Sequence, residues 1–358
     1  MSPFSIIKAI CVTGVVVALA AACSKHSASP AAARSYRMGF MSSAPRPDLN
    51  LYLQSLSLWT THSDATIISA EVPWDSLLNG EDPVKFVVDN YVGVVNYCRG
   101  MNIKLWVYID PANGLDRASD AAALVARGKS ITQQDIQQVY RRFVVVTDSV
   151  LHPDHLGLAL ETNLIRLESA PALYQGVVQA ANGAAADVRV IDPHVPLSVS
   201  VQAEAAWGKF SGGSYIGVEQ DFKDLPFIQE LGISSYPYIS FSTPADIPLN
   251  YYSQLVADHP MPVFVSEGGW TSVSLGQYNI QSSPALQATY IRRQGQLLSQ
   301  AKGIGLLQLT FTDLDLAGWP ASDSAGLIPF AFLGVVDSNF APKPALTVWD
   351  SLRALPLQ

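Results

Sequence analysis

Two glutamates stand at the ends of apolar runs that have the composition of buried strands. Glu161 ends the run in 157-GLALETNL-164, and Glu267 ends the run in 262-PVFVSEGGW-270. A strand buried on both faces is hydrophobic throughout, so a carboxylate at its C-terminal end is not a casual surface charge. Two carboxylates that share a pocket can act as acid/base and as nucleophile, the two groups that glycosidic bond cleavage with retention requires.

The segments around these glutamates alternate between strand-like and helix-like patterns from Tyr36 onward. Strict alternation of this kind predicts parallel β/α units. The strand candidates are 36–43, 66–72, 103–110, 156–161, 195–202, 231–236, 262–267 and 304–311. Amphipathic stretches of helical length include 83–101, 133–151, 285–303 and 344–355.

Eight units over about 320 residues favour a (β/α)₈ TIM barrel, an α/β fold, over an open doubly wound sheet. No Gly-x-Gly-x-x-Gly motif follows the first strand, as the dinucleotide-binding form of that sheet would require. In such a barrel the C-terminal strand ends form the face that carries the active site. We therefore expect Glu161 on strand four and Glu267 on strand seven, both at that face.

This arrangement resembles clan A of the glycoside hydrolases, whose members are (β/α)₈ barrels. The strings 266-SEGGW-270 and 234-SSYPYISF-241 look most like the strand-seven and strand-six motifs of endo-β-1,4-galactanases and related endo-glycanases. The resemblance implies that Glu161 is the general acid/base and Glu267 the nucleophile. It also implies that Tyr236 hydrogen-bonds the nucleophile.

One position departs from the clan pattern. Most members have Asn directly before the acid/base glutamate, to hold the sugar 2-hydroxyl, whereas this chain has Leu160. The only nearby amide is Asn163, which we take as a candidate substrate-binding residue. A β-mannanase family of the clan also lacks that asparagine, so the departure is compatible with catalysis. A barrel that only binds polysaccharide stays open as the alternative.

A retaining mechanism needs one ionised and one protonated carboxyl group. We expect the charge of Glu267 to keep Glu161 protonated, and the Tyr236 hydroxyl to keep Glu267 ionised. A carboxyl separation of about 5–5.5 Å gives retention, and a wider one gives inversion. A rim salt bridge with Arg or Lys is the alternative interpretation of either glutamate taken alone.

Other side chains after strand ends are candidates for substrate binding. Asp110 ends strand three, where it could accept a sugar hydroxyl or serve as a turn carboxylate before Pro111. Indole faces stack on the C–H faces of sugars, so tryptophans after strand ends predict platforms along an open cleft, with loop packing as the alternative. These residues are Trp74, Trp207, Trp270 and Trp319, and we expect Trp270 beside the bond that is broken.

Composition restricts the other functional classes. The 358 residues are 49% hydrophobic and carry a net charge of −8, which predicts a large core and argues against a nucleic-acid partner. His152 and His155 flank Pro153 at a predicted turn, so we expect no metal site and no cofactor. There is no Gly-x-Ser-x-Gly motif, and no lysine ends a strand as a Schiff-base aldolase would need.

The N-terminal residues have the layout of a bacterial secretory signal. Lys8 precedes the uncharged run 9-AICVTGVVVALAAA-22, which is shorter than a membrane span of about 20 residues. The ending 19-LAAAC-23 resembles a lipoprotein processing site, which implies a signal peptide at 1–22 and a lipidated Cys23. An ordinary signal peptide or an uncleaved anchor is the alternative. Residues 23–35 read as a flexible tether and 36–358 as the barrel.

Together these features predict an exported monomer in the bacterial cell envelope, at the periplasmic face or the cell surface. We expect contact with the membrane only through the N-terminal lipid. The predicted activity is retaining hydrolysis of a β-linked polysaccharide or oligosaccharide. A non-catalytic glycan-binding lipoprotein on the same barrel is the alternative.

Overall fold

The computed structural model describes residues 33–358, except for the side chains of residues 321–323. Eight parallel strands follow one another around a closed barrel, and the eighth pairs with the first. The strands are β1 (Arg37–Met41), β2 (Ala65–Glu71), β3 (Lys104–Asp110), β4 (His155–Gly157), β5 (Leu197–Gln202), β6 (Glu230–Ser235), β7 (Val263–Gly268) and β8 (Gly305–Gln308). The predicted (β/α)₈ barrel is confirmed.

The α-helices pack around the barrel. They are α1 (Leu49–Trp59), α2 (Trp74–Leu78), α3 (Pro83–Val87), α4 (Gly93–Gly100), α5 (Ala122–Ala126), α6 (Gln134–Leu151), α7 (Thr162–Glu168), α8 (Pro171–Ile191), α9 (Ala203–Ala206), α10 (Glu219–Asp224), α11 (Pro284–Ala301), α12 (Ala321–Leu327) and α13 (Pro344–Arg353). A π-helical turn, Val88–Val92, joins α3 to α4, so the helix predicted at 83–101 is one helical stretch.

Local sequence signals account for the outer layer. Helix α6 buries Ile136, Tyr140, Phe143 and Val144, which lie on one face at a spacing of three and four residues. The start of α11 is capped as its sequence predicts, because the Ser283 hydroxyl accepts a hydrogen bond from the Leu286 amide. The helices therefore cover the strands with an apolar face and leave a polar face toward solvent.

Aromatic rings fill the barrel interior. Trp106, Tyr108 and Phe264 are almost completely buried there, in a cluster with smaller apolar side chains. Two glycines leave room for Tyr108, because a Cβ atom on Gly157 would lie 2.3 Å from the tyrosine ring and one on Gly232 would lie 2.3 Å from its hydroxyl. The interior is thus a packed core, and ligands have access only to its ends.

The folded domain begins before residue 36. Arg34 is 6% exposed, and its Nη1 atom lies 2.7 Å from the Asp64 carboxylate. The Ser35 hydroxyl donates to the carbonyl of Gly303 at 2.8 Å. The predicted tether at 23–35 therefore extends too far, because Arg34 and Ser35 are tied to the barrel. The predicted signal peptide, Cys23 and the preceding part of the tether lie outside the described residues. Within the described part of the chain, no helix is long and apolar enough to cross a membrane.

We expect the Gly157→Ala variant to lose about 1–3 kcal/mol of unfolding free energy, because its methyl group overlaps the Tyr108 ring in a closely packed core. Chemical denaturation measures this loss. Gly276→Ala is the matched control, since a methyl group added there would meet no atom of the surrounding structure within 4 Å. Equal stability of the two variants would contradict the tight interior packing.

Candidate active site

Strands β4, β6 and β7 bring Glu161 and Glu267 together at the C-terminal mouth of the barrel. Glu267 is the second-to-last residue of β7 and pairs with Ser234 of β6, just after an irregularity in the register of these two strands. The Ser234 hydroxyl donates to Glu161 Oε1 at 2.6 Å, and its interaction with Glu267 lowers the pKa of that carboxyl. Because both carboxyl groups interact with one hydroxyl, they lie next to each other.

Glu161 stands beyond the end of β4, four residues after Gly157. The intervening chain still follows β5, since the Leu158 amide donates to the carbonyl of Ser198 at 2.9 Å. Glu161 itself has φ 49° and ψ 44°, a left-handed conformation that costs about 1–3 kcal/mol for a residue other than glycine. Its amide donates to the Ser200 hydroxyl at 2.9 Å, and α7 begins at the next residue. The turn places the carboxylate among the polar groups of the mouth.

Arg117, in the loop between β3 and α5, is a site residue that the sequence does not predict. Its Nε atom donates to Glu161 Oε2 at 2.8 Å, and its Nη1 atom donates to Asp110 Oδ2 at 2.5 Å. Arg117 is 5% exposed, and both carboxylate partners are buried. A loop arginine has no periodic pattern to reveal it. The one available signal is chemical, because buried carboxylates need a cationic or hydrogen-bonding partner.

Burial raises the pKa of Glu267 to about 7, and the neighbouring charge of Glu161 contributes to the increase. Arg117 and Ser234 oppose this shift. We expected Glu161 to be the protonated member of the pair, but Glu161 forms an ion pair with Arg117, and it is the pKa of Glu267 that burial raises. The physical reason is the position of the guanidinium, which lies directly against Glu161.

Tyr236 directly follows β6 and is buried. Burial raises its pKa, and the charges of Glu267 and Glu161 raise it further, so its hydroxyl lies within the electrostatic field of the pair. Among the described contacts, however, the predicted hydrogen bond from this hydroxyl to Glu267 is not formed. The ring instead packs edge-on against Phe330, with 4.9 Å between centroids.

Asp110 and Asn163 are both occupied by contacts within the protein. Besides its ion pair with Arg117, Asp110 accepts a hydrogen bond from the Ala112 amide at 3.2 Å, so it is also the turn carboxylate considered above. Asn163 is 1% exposed and uses both ends of its amide on the backbone of Gln202, at 2.9 and 2.8 Å. These bonds satisfy buried backbone groups at the last residue of β5. The Asn163 amide is therefore not available to a sugar in this structure.

Two of the four candidate tryptophans are core residues. Trp270 is 1% exposed, donates to the Ser282 hydroxyl at 2.9 Å and packs against Tyr290 at 5.3 Å. Trp74 is also buried in the main core. Both therefore fit the packing alternative, because neither presents a face that a sugar can reach.

The other two tryptophans are half-buried. Trp207 donates to the carbonyl of Tyr251 at 3.0 Å and stacks on that ring. Trp319 donates to the carbonyl of Pro45 at 3.0 Å and borders a cleft of about 770 Å³. This volume is typical of a ligand site. The cleft also includes Met41, Glu71, Leu115, Thr310 and Phe330.

The cleft lies beside the ends of β1, β2 and β8, on the same face of the barrel as the carboxyl pair. Phe330 connects the two regions, because it borders the cleft and also packs against Tyr236. Neither glutamate of the pair lines the cleft itself. Trp319 is the candidate tryptophan that borders this cleft.

Glu204 is a buried carboxyl group outside the pair. It accepts hydrogen bonds from the Tyr251 hydroxyl at 2.9 Å and from the Tyr236 amide at 3.0 Å. Burial raises its pKa to about 7, while these hydrogen bonds oppose the shift. Its contacts tie the segment after β5 to the end of β6. Across the described residues, the structure contains no group of three or more His, Cys, Asp or Glu side chains arranged to hold a metal ion.

Comparisons with solved structures confirm the resemblance to clan A (β/α)₈ glycoside hydrolases at the level of fold. The exo-β-1,4-mannosidase Op5Man5 from an Opitutaceae bacterium superposes with a TM-score of 0.67 at 13% identity, over 90% of this chain and 59% of that one. Fungal β-1,4-galactanases superpose with a TM-score of 0.59 at 15% identity, over 89% of this chain and 100% of theirs.

Xylanase 10B from Thermotoga maritima superposes with a TM-score of 0.63 at 12% identity, over 89% of this chain and 95% of that one. No protein-family model matches the sequence, and no curated protein sequence matches it. The fold therefore belongs to the class of (β/α)₈ barrels that these hydrolases share. Identities this low leave the activity to be argued from the site.

We expect Trp270→Ala to lose about 3–5 kcal/mol of unfolding free energy, because it empties a fully buried position. Thermal or chemical denaturation measures the loss. Trp319→Ala is the matched control, since that indole also makes one hydrogen bond but is half-buried. A similar loss of unfolding free energy in both variants would show that Trp270 contributes no more to the core than the half-buried Trp319.

Proposed function

We propose that this protein is a retaining glycoside hydrolase that acts on a β-linked polysaccharide or oligosaccharide. Glu161 is the acid/base and Glu267 is the nucleophile. The observation that carries the proposal is the pair of adjacent, electrostatically coupled carboxyl groups at the C-terminal mouth of a closed barrel. That face is where barrels of this type place their active sites.

In the first step, the single proton of the pair moves onto Glu161, which donates it to the departing oxygen while the ionised Glu267 attacks the anomeric carbon. This forms a glycosyl ester on Glu267. In the second step, Glu161 is ionised and takes a proton from water, which attacks the same carbon and releases the sugar. The Ser234 hydroxyl holds Glu161 in place beside Glu267 and supports the geometry of both steps.

The substrate class is supported by the shape of the cleft and by the neighbours. A volume of about 770 Å³ bordered by Trp319 can accommodate more than one sugar ring, which fits endo action on a chain. The neighbours are described as a β-1,4-mannosidase, β-1,4-galactanases and a xylanase. This chain spans 59% of the length of Op5Man5, so the activity of that whole protein is not carried over.

The ion pair between Glu161 and Arg117 favours a second candidate function, in which the barrel binds glycans without cleaving them. A carboxylate that is fully used by Arg117 and Ser234 resembles a structural group. The buried Glu267 beside Glu161 argues against this candidate, because a purely structural arrangement gains nothing from two adjacent acids. Binding of a glycan without turnover by the purified protein would support it.

We expect Glu267→Gln to abolish turnover of aryl β-glycosides while the protein stays folded, because the amide has the same shape but cannot attack the anomeric carbon. Glu161→Ala should be slow and should regain activity on an activated aryl glycoside when azide is added, since the anion replaces the missing base. Steady-state kinetics and circular dichroism provide the measurements. Full activity of Glu267→Gln would rule out its role as nucleophile.

We also propose that the protein is exported and held at the cell envelope by a lipid on Cys23. The support is the apolar run that ends in 19-LAAAC-23. Mass spectrometry of the mature protein should find a lipidated Cys23 at the N-terminus, and Cys23→Ser should release the protein from membranes. A mature N-terminus at any other residue would contradict the anchor. The monomeric state stays a prediction.

A further inference from the structure

Arg117 lies next to the candidate acid/base group and forms ion pairs with two carboxylates at once. Its guanidinium bonds Glu161 through Nε and Asp110 through Nη1, so one buried cation joins two buried carboxylates. The two donors occupy different edges of a planar group, which fixes the orientation of both partners. Asp110 therefore holds Arg117 in position, and Arg117 in turn holds Glu161.

We propose that Arg117 is a positioning residue that makes Glu161 the charged member of the carboxyl pair in the unliganded protein. Asp110 anchors it in this role. Arg117 thereby sets the pH range in which the pair has the one ionised and one protonated carboxyl group that hydrolysis needs. The kinetic part of this proposal rests on the proposed function, whereas the assignment of charge does not.

The groups that face the pair come from several elements. Asp110 at the end of β3 and Arg117 in the following loop contribute opposite charges, and the Ser234 hydroxyl of β6 interacts with both glutamates. Tyr236, which follows β6, is neutral because burial raises its pKa well above the usual value. With Asp110, Glu161 and Arg117 charged, the surroundings of Glu267 carry one net negative charge.

The two catalytic steps make opposite demands on Glu161. Cleavage of the glycosidic bond needs it protonated, and hydrolysis of the glycosyl ester needs it ionised. A cation in direct contact favours the ionised form. Arg117 therefore assists the second step, in which Glu161 is ionised. In the first step Glu161 must carry a proton, so that step depends on the one proton that the two carboxyl groups share. The bell-shaped pH profile of kcat/KM should lie at lower pH than it would without Arg117.

The sign of each substitution follows from the charge that it removes. Arg117→Gln removes the cation that lowers the pKa of Glu267, so we expect both limbs of the profile to move up by about 1 pH unit or more. Asp110→Asn removes an anion that raises this pKa, so the profile should move down. Arg117→Lys keeps a positive charge in place and should leave the profile near its original position.

A merely structural role would change the height of the profile and leave its position unchanged. Arg141→Gln is the matched control, because it removes an ion pair with Asp187 at 2.8 Å between α6 and α8, away from the mouth. We expect no shift of the profile in this variant. Circular dichroism and denaturation establish that each variant is folded, and Asp110→Asn tests the same inference if Arg117→Gln does not fold.

Carbon NMR titration of labelled glutamate side chains provides a readout that does not need turnover. In the wild-type protein the ionised member of the pair should be Glu161, identified by its loss in Glu161→Gln. In Arg117→Gln the proton of the pair should be held to higher pH. The inference is overturned if Glu267 is the ionised member, or if Arg117→Gln and Arg117→Lys titrate alike. A confirmed titration in a protein that turns over no glycoside would refute only the proposed function.

Discussion

The mouth of this barrel is organised by one buried cation shared between two carboxylates. Three acidic side chains, Asp110, Glu161 and Glu267, lie close together where water is largely excluded, and Arg117 is the cation that contacts two of them. Burying a charge is costly unless it is paired, and removing one member of a buried pair typically costs about 3–5 kcal/mol. The loop after β3 is therefore as necessary to the site as the strands that carry the glutamates.

The same ion pair helps to explain how Glu161 keeps an unfavourable backbone. The left-handed conformation of this residue persists only if surrounding contacts hold it. Ser200 bonds its amide, while Ser234 and Arg117 bond its two carboxylate oxygens. Strain at this turn is thus maintained by groups from three other segments, and it keeps the carboxylate within reach of Glu267. Backbone strain that surrounding contacts maintain is typical of residues at functional sites.

Beneath the site, the packed interior provides a rigid support. Tyr108 occupies the space left by Gly157 and Gly232, and the Ser198 hydroxyl donates to the Tyr108 hydroxyl at 3.1 Å. A Cβ atom on either glycine would collide with this ring, so the interior beneath the site is closely packed. Glu267 pairs with Ser234 just beyond an irregularity in the β6–β7 register, which lies between Ile233 and Ser234.

The sequence by itself determined the barrel and the end of β7 on which Glu267 lies, because the alternation of apolar strands and amphipathic helices is a local property of the chain. It predicted Glu161 on strand four, whereas β4 ends at Gly157 and Glu161 lies in the turn that follows. Only the tertiary structure decided that Trp270 and Asn163 are buried, since burial depends on segments that pack against them from elsewhere, such as Tyr290 and Gln202. It also decided which glutamate is ion-paired. Arg117 is 44 residues from Glu161 along the chain, and no local pattern encodes a charge contact over that separation.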